Sequence, residues 1–146
     1  MSKFPLIIFE GIECSGKTTQ IKKVTNFLKK KKINFIKIRE PGGTPNSEKI
    51  RKVLLNKKSK FNILTDLLMY MASRNENVVN ILNNNYKKKV ILIDRFIYSS
   101  IAYQHYGMNI DLKLINLLNK KILKKVKPTY IFLHTVGLKN MKKRLK

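Results

Sequence analysis

The sequence predicts an α/β fold, a mostly parallel sheet with helices on both faces, and three observations carry that prediction. First, the apolar run Leu6–Glu10 leads directly into Gly11-x4-Gly16-Lys17-Thr18, a glycine-rich loop of phosphate-binding spacing, and then into a helical pattern. Second, further short apolar runs recur, each separated from the next by segments of helical period. Third, the first three runs end at Glu10, Arg39 and Asp94, and charged residues gather just beyond each end. Ligands of parallel sheets bind at the carboxyl ends of the strands.

The elements follow in order. Leu6–Glu10 reads as a buried strand. From Lys17, Ile21, Val24 and Leu28 share one helix face, which a lysine run closes. Phe35–Arg39 alternates as a strand and is broken by Pro41-Gly42-Gly43. Ser47–Leu55 reads as a short helix with Ser47 as its cap. Over 63–84 the spacing predicts a long helix with Leu64, Leu67, Leu68, Met71, Val78 and Leu82 on its apolar stripe. Val90–Asp94 is a continuous apolar run and a third buried strand, and Arg95–Gln104 reads as helical. A helix over 111–124 has Asp111 as its cap. Tyr130–His134 is a fourth strand, and a basic helix spans 138–146. Residues 1–146 thus form one domain, with no repeat or linker.

Composition narrows the class. The formal net charge is +24, yet the excess is lysine spread along the whole chain, and no basic-aromatic motif accompanies it. Nucleic acid is therefore not the expected partner. The lone cysteine, Cys14, excludes an internal disulfide or cysteine metal cluster. No leader and no membrane-length apolar run are read, so a cytoplasmic location is expected. Only eight residues are acidic, and four of them, Glu10, Glu13, Glu40 and Asp94, fall in three short motifs.

In the phosphate loop Gly11, Ile12, Glu13, Cys14, Ser15, Gly16, Lys17, Thr18 and Thr19 are expected to wrap a nucleotide's phosphates with backbone N–H groups. Lys17 would neutralise the β and γ phosphates, and Thr18 would ligate Mg²⁺ with Asp94 one layer further out. A tight turn before a helix is the bland alternative. No Asn-Lys-x-Asp motif of guanine readers is present, and Asp94 is followed by Arg95 rather than an acid. Arg95 could clamp a second phosphate. Arg74 lies on the apolar stripe, where it needs an anionic or aromatic partner, and Tyr70 lies one turn earlier, so the two can frame a flat ring. Snorkelling to the helix edge is the alternative for Arg74. Arg95, Ser99 and Tyr103 recur every four residues and would line one helix face; alternatively Asp94 merely caps that helix. A donor phosphate site facing an acceptor site with its own clamp is the layout of a nucleotide kinase.

At "FEGIECSGKTTQ", "REPGGT", "LLMYMASR" and "DRFIYSSIAYQ", in that order, the chain resembles bacterial thymidylate kinases from about residue 5 to about residue 133. The resemblance implies a P-loop kinase fold of the nucleoside monophosphate kinase type, transfer of the ATP γ-phosphate to thymidine monophosphate with Mg²⁺, and a homodimer. It implies that Lys17, Arg95 and Glu13 serve catalysis, with Glu13 on the acceptor's 3′-hydroxyl. Pro41 would follow a cis bond in the acceptor pocket. Arg51 and Arg95 would hold the acceptor phosphate, Tyr70 would stack on thymine and Arg74 would meet its edge. Ser100 and Gln104 would lie near the base, beside Ser99, and Tyr103 would crowd the 2′ position.

The chain departs from the pattern at Cys14, which carries no charge, at His134 in place of an Asp, and after Arg144, where the family continues with an arginine-rich lid, a strand and a helix. The domain is therefore expected to be incomplete at its C-terminus, to lack both sources of an added catalytic arginine and to turn over weakly. A non-catalytic nucleotide-binding remnant, a basic nucleic-acid binder that retains the loop, and another nucleoside or nucleotide kinase are the competing readings.

Overall fold

In the computed structural model, which describes residues 4–145, four strands form one parallel sheet. They are β1 (Leu6–Gly11), β2 (Phe35–Arg39), β3 (Val90–Asp94) and β4 (Tyr130–His134), in the order β2-β3-β1-β4. The register sets Arg39 beside Asp94, Asp94 beside Phe9 and Gly11 beside His134. The functional motifs of three strands therefore emerge at one edge of the sheet, as expected for a mostly parallel α/β fold.

Helix α1 (Lys17–Lys30) covers one face, and the other is met by Val78 and Leu82 just after α3 (Ile63–Asn77), with α2 (Pro45–Leu54) packed beside α3. Helix α3 continues through a wide π turn, Val78–Leu82, into a last turn at Asn83–Asn85. Helix α4 (Ile97–Ser100) likewise widens over Ile101–Tyr106, and α5 (Leu112–Leu123) and α6 (Leu138–Leu145) follow. Strand β3 shows why its apolar run is unbroken. Ile91 and Ile93 join Leu6, Ile8, Val78 and Leu82 on one face, while Val90 and Leu92 join Phe9, Ile21 and Leu28 on the other. Burying both faces demands apolar residues at every position.

Four local expectations are corrected. Helix α2 is capped by Thr44, whose side chain accepts from Ser47 N–H; Ser47 is buried and its hydroxyl donates to the Ser73 carbonyl instead. Leu64 and Leu68 are about half exposed, because the residues that face inward are Leu67, Met71 and Val78. Arg95 precedes its helix and takes a left-handed backbone (φ 67°), so the segment turns before it coils. Asp94 does not cap that helix; Glu10 does. The Asp111 cap is as expected, its carboxylate accepting from Lys113 N–H at 2.8 Å. Lys146, assigned to the last helix from sequence, lies outside the described residues. At the open edge, Tyr130, Ile131, Phe132 and Leu133 of β4 are all more than a third exposed.

Candidate active site

Gly11 ends β1 with φ 143°, and a Cβ there would overlap the His134 carbonyl oxygen, so the close approach of β4 requires glycine. The loop then turns through Cys14 (φ 58°) and Gly16 (φ 87°), which leads into α1, and Ser15 braces it by donating to the Ile12 carbonyl at 2.8 Å. Lys17 is buried, with its ammonium 3.1 Å from Asp94 Oδ1, while Thr18 is exposed at the first turn. The loop geometry and the helix N-terminus favour an anion here.

Beside this loop lies a cavity of about 340 Å³, lined by Glu13, Glu40, Pro41, Arg51, Tyr70, Arg74, Asp94, Arg95, Ser99, Ser100, Tyr103 and Gln104 among others. Every residue expected to meet the acceptor thus falls in one cavity, although together they come from four separate stretches of sequence. The Glu40–Pro41 bond is cis, as expected. Arg51 reaches in from α2 and donates to the Pro41 carbonyl at 2.7 Å. Burial, together with the neighbouring Arg39, lowers its pKa, so the pocket disfavours the bare cation that an incoming anion would neutralise. Tyr70 is half-buried, and desolvation raises its phenol above the ordinary range.

The four motif acids now have partners. Glu10 is buried; Oε1 accepts from Phe96 N–H (2.8 Å) and Ser99 N–H (3.3 Å), and Oε2 from the Ser99 hydroxyl (2.6 Å). That carboxylate caps α4 and holds the turn carrying Arg95. It also occupies the Ser99 hydroxyl, which therefore braces the wall of the cavity. Glu13 accepts from Arg95 Nη2 at 2.6 Å, and Tyr103 accepts from Arg95 Nη1 at 3.2 Å. Glu40 accepts from Arg74 Nε at 2.7 Å, both side chains being almost wholly buried. Arg74 does not snorkel: it is 2% exposed, with its guanidinium 5.2 Å from the Phe96 ring centroid. Gln104 is buried and donates to Asp66 at 3.3 Å, and Ser100 accepts from Arg74 at 3.1 Å.

Two residues of the site escaped sequence reasoning. Asn119 on α5 accepts from Arg74 Nη1 at 2.6 Å; a buried polar residue on an otherwise apolar helix face was the available signal. Arg144 on α6 donates to the Cys14 carbonyl at 2.8 Å. Arg144 thus touches the phosphate loop at a backbone carbonyl, and no periodicity or spacing ties residue 144 to residue 14.

No group of three or more His, Cys, Asp or Glu among the described residues could hold a metal by itself. Likewise, no helix among the described residues is long and apolar enough to cross a membrane.

Comparisons with known proteins point to one family. The family model described as thymidylate kinase matches residues 9–146. The chain is 42% identical over 141 residues to the thymidylate kinase of a Sulfurihydrogenibium species, covering 95% of this chain and 69% of that relative. To the thymidylate kinase of Kosmotoga olearia it is 42% identical over 115 residues, covering 78% of this chain and 55% of that protein. The crystal structure of thymidylate kinase from Ehrlichia chaffeensis superposes with a TM-score of 0.83 at 39% identity, covering 97% of this chain and 81% of that one. The chain thus spans between about half and seven tenths of the length of these two curated relatives.

Proposed function

The chain belongs to the thymidylate kinase family of ATP-dependent phosphotransferases, and on that premise we propose that it transfers the γ-phosphate of ATP to thymidine monophosphate. The observation that carries this reading is the cavity in which Arg51, Arg95, Tyr70 and Arg74 converge beside the phosphate loop. Three of the four cations that line it already have a carboxylate: Arg39 has Glu48, Arg74 has Glu40 and Arg95 has Glu13. Arg51 donates instead to the Pro41 carbonyl, so it is the cation best placed to take an acceptor phosphate, with Arg95 beside it.

In this reading Tyr70 stacks on the base and Arg74 donates to its edge, at the buried end of the cavity. Glu13 takes the 3′-hydroxyl, and Tyr103 limits room at the 2′ position. Gly11 to Thr19 hold the ATP phosphates, and Lys17 neutralises charge on them. Thr18 would hold Mg²⁺ with the phosphate oxygens, and Asp94 would orient Lys17 and the ion's water. When bound, the ion neutralises charge on the transferring group. The residues need do little covalent work: they align donor and acceptor and spread the developing charge. Arg144 adds a second guanidinium at the loop, where Arg95 already holds Glu13. The enzyme works in the cytoplasm as a homodimer, with the exposed Ile63, Leu64 and Leu68 of α3 as the apolar face available for pairing.

The test is chromatographic detection of thymidine diphosphate and ADP from ATP and thymidine monophosphate. Guanylate, cytidylate and thymidine serve as competing acceptors. Preference for any of those three over thymidine monophosphate would overturn the assignment, and tight binding without product would make the chain a nucleotide-binding remnant.

A further inference from the structure

Arg74 is held more closely than lining a pocket requires. Nε bonds Glu40 at 2.7 Å, Nη1 bonds Asn119 at 2.6 Å and Nη2 bonds Ser100 at 3.1 Å, while Phe96 lies under the plane. Glu40 follows β2, Ser100 ends α4, Phe96 lies between β3 and α4, and Asn119 sits on α5. Three separate pieces of chain therefore fix one guanidinium. A guanidinium has five N–H groups; Nη1 also donates to Met71 Sδ at 3.7 Å, so these bonds set its plane and leave one Nη2 donor for a ligand.

Asn119 is the informative member. Helix α5 reads LKLINLLNKKIL, with Ile115 and Leu123 among its buried residues and Asn119 buried beside them. Leucine would satisfy that pattern. A buried amide at such a position costs free energy unless it is hydrogen-bonded, and the bond it makes is to Arg74. Helix α5 also lies outside every motif that pointed to the site.

We propose that Asn119, acting with Glu40, is a positioning residue that sets the guanidinium plane of Arg74 and so determines which pyrimidine base the site accepts. This rests on the reading that the cavity holds thymidine monophosphate. Thymine presents an acceptor oxygen at ring position 4 where cytosine presents an amino donor, whereas uracil keeps the oxygen and lacks only the methyl group. A correctly aimed guanidinium accepts the first and third and rejects the second.

The experiment measures dissociation constants of the full chain for the deoxyribose 5′-monophosphates of thymine, uracil and cytosine by calorimetry. Asn119→Leu is expected to weaken thymidylate binding by at least about tenfold and to narrow the thymine-to-cytosine ratio by a similar factor. The thymine-to-uracil ratio stays as in the wild type, because the methyl contact is untouched. Asn119→Asp, of the same shape and with its acceptor retained, recovers most of the thymine-to-cytosine ratio, and Glu40→Gln narrows it. Should Asn119→Leu not fold, Asn119→Ser, too short to reach Arg74, reads the same ratio. A wild-type ratio in folded Leu or Ser variants, or equal narrowing by Leu and Asp, overturns the proposal. Absence of thymidylate binding by the unaltered chain overturns instead the reading of the site on which it rests.

Discussion

Removing the Glu10 carboxylate should destabilise the protein and disarrange Arg95 together. The side chain is 3% exposed and satisfies three donors: the N–H groups of Phe96 and Ser99 and the Ser99 hydroxyl. Truncation in Glu10→Ala strands all three where water has little access. Each stranded buried donor costs about 1–3 kcal/mol, and partial relaxation brings the sum to about 3–5 kcal/mol. For a domain of this size, that corresponds to a fall in Tm of roughly 10–20 °C. Glu10→Gln keeps Oε1 as the acceptor for both N–H groups and should cost only about 1–2 kcal/mol. Arg95 directly precedes Phe96, so both variants should also raise KM for thymidine monophosphate, Ala more than Gln. Urea denaturation followed by circular dichroism, alongside a coupled kinase assay, measures both effects. Equal cost for Ala and Gln, or an Ala variant within about 1 kcal/mol of wild type, would refute the capping argument.

Further outcomes follow from the same geometry. Lys17→Ala should lower kcat by at least about 10²-fold, the usual cost of losing one preorganised charge-stabilising group, and single-turnover kinetics would show whether the chemical step is affected. Arg144→Ala should lower kcat by at least about tenfold while leaving thymidylate affinity unchanged; a change in affinity alone would place Arg144 outside phosphoryl transfer. Burial raises the Glu40 pKa, opposed by Arg74 and reinforced by Glu10. The folded state then holds that proton to higher pH than the unfolded state. The Glu40 contribution to stability is therefore greatest below the unfolded value of 4.5 and falls as pH rises towards the folded pKa. The stability difference between wild type and Glu40→Gln, from melts between pH 4 and 7, should decline with pH; a flat or rising difference refutes that direction.

Much of this protein was legible because the relevant signals are local. The phosphate loop carries glycine at two of its sites of unusual φ, Gly11 and Gly16, and Lys17 and Thr18 follow where the helix begins. Strand β3 announced its burial by an unbroken apolar run, and Arg74 declared itself by sitting on an apolar stripe. Where a decision turned on distant neighbours, local reading failed. Ser47 lost its capping role because Thr44 precedes it and Ser73 takes its hydroxyl. Leu64 and Leu68 share the period of the stripe, but which arc of a helix faces the core depends on what packs against it.

From residue order alone came the parallel α/β class, the phosphate loop, and the rule that the ligand sits beyond the strand ends, since each depends on backbone conformation and period within a few residues. Only the folded chain could decide which charge meets which. Glu10 and Phe96 are 86 residues apart, Arg95 and Glu13 are 82 apart, and Arg144 and Cys14 are 130 apart. Those pairings exist because parallel strands carry remote segments to one edge, and electrostatic partnership depends on distance in space, which spacing along the chain does not encode.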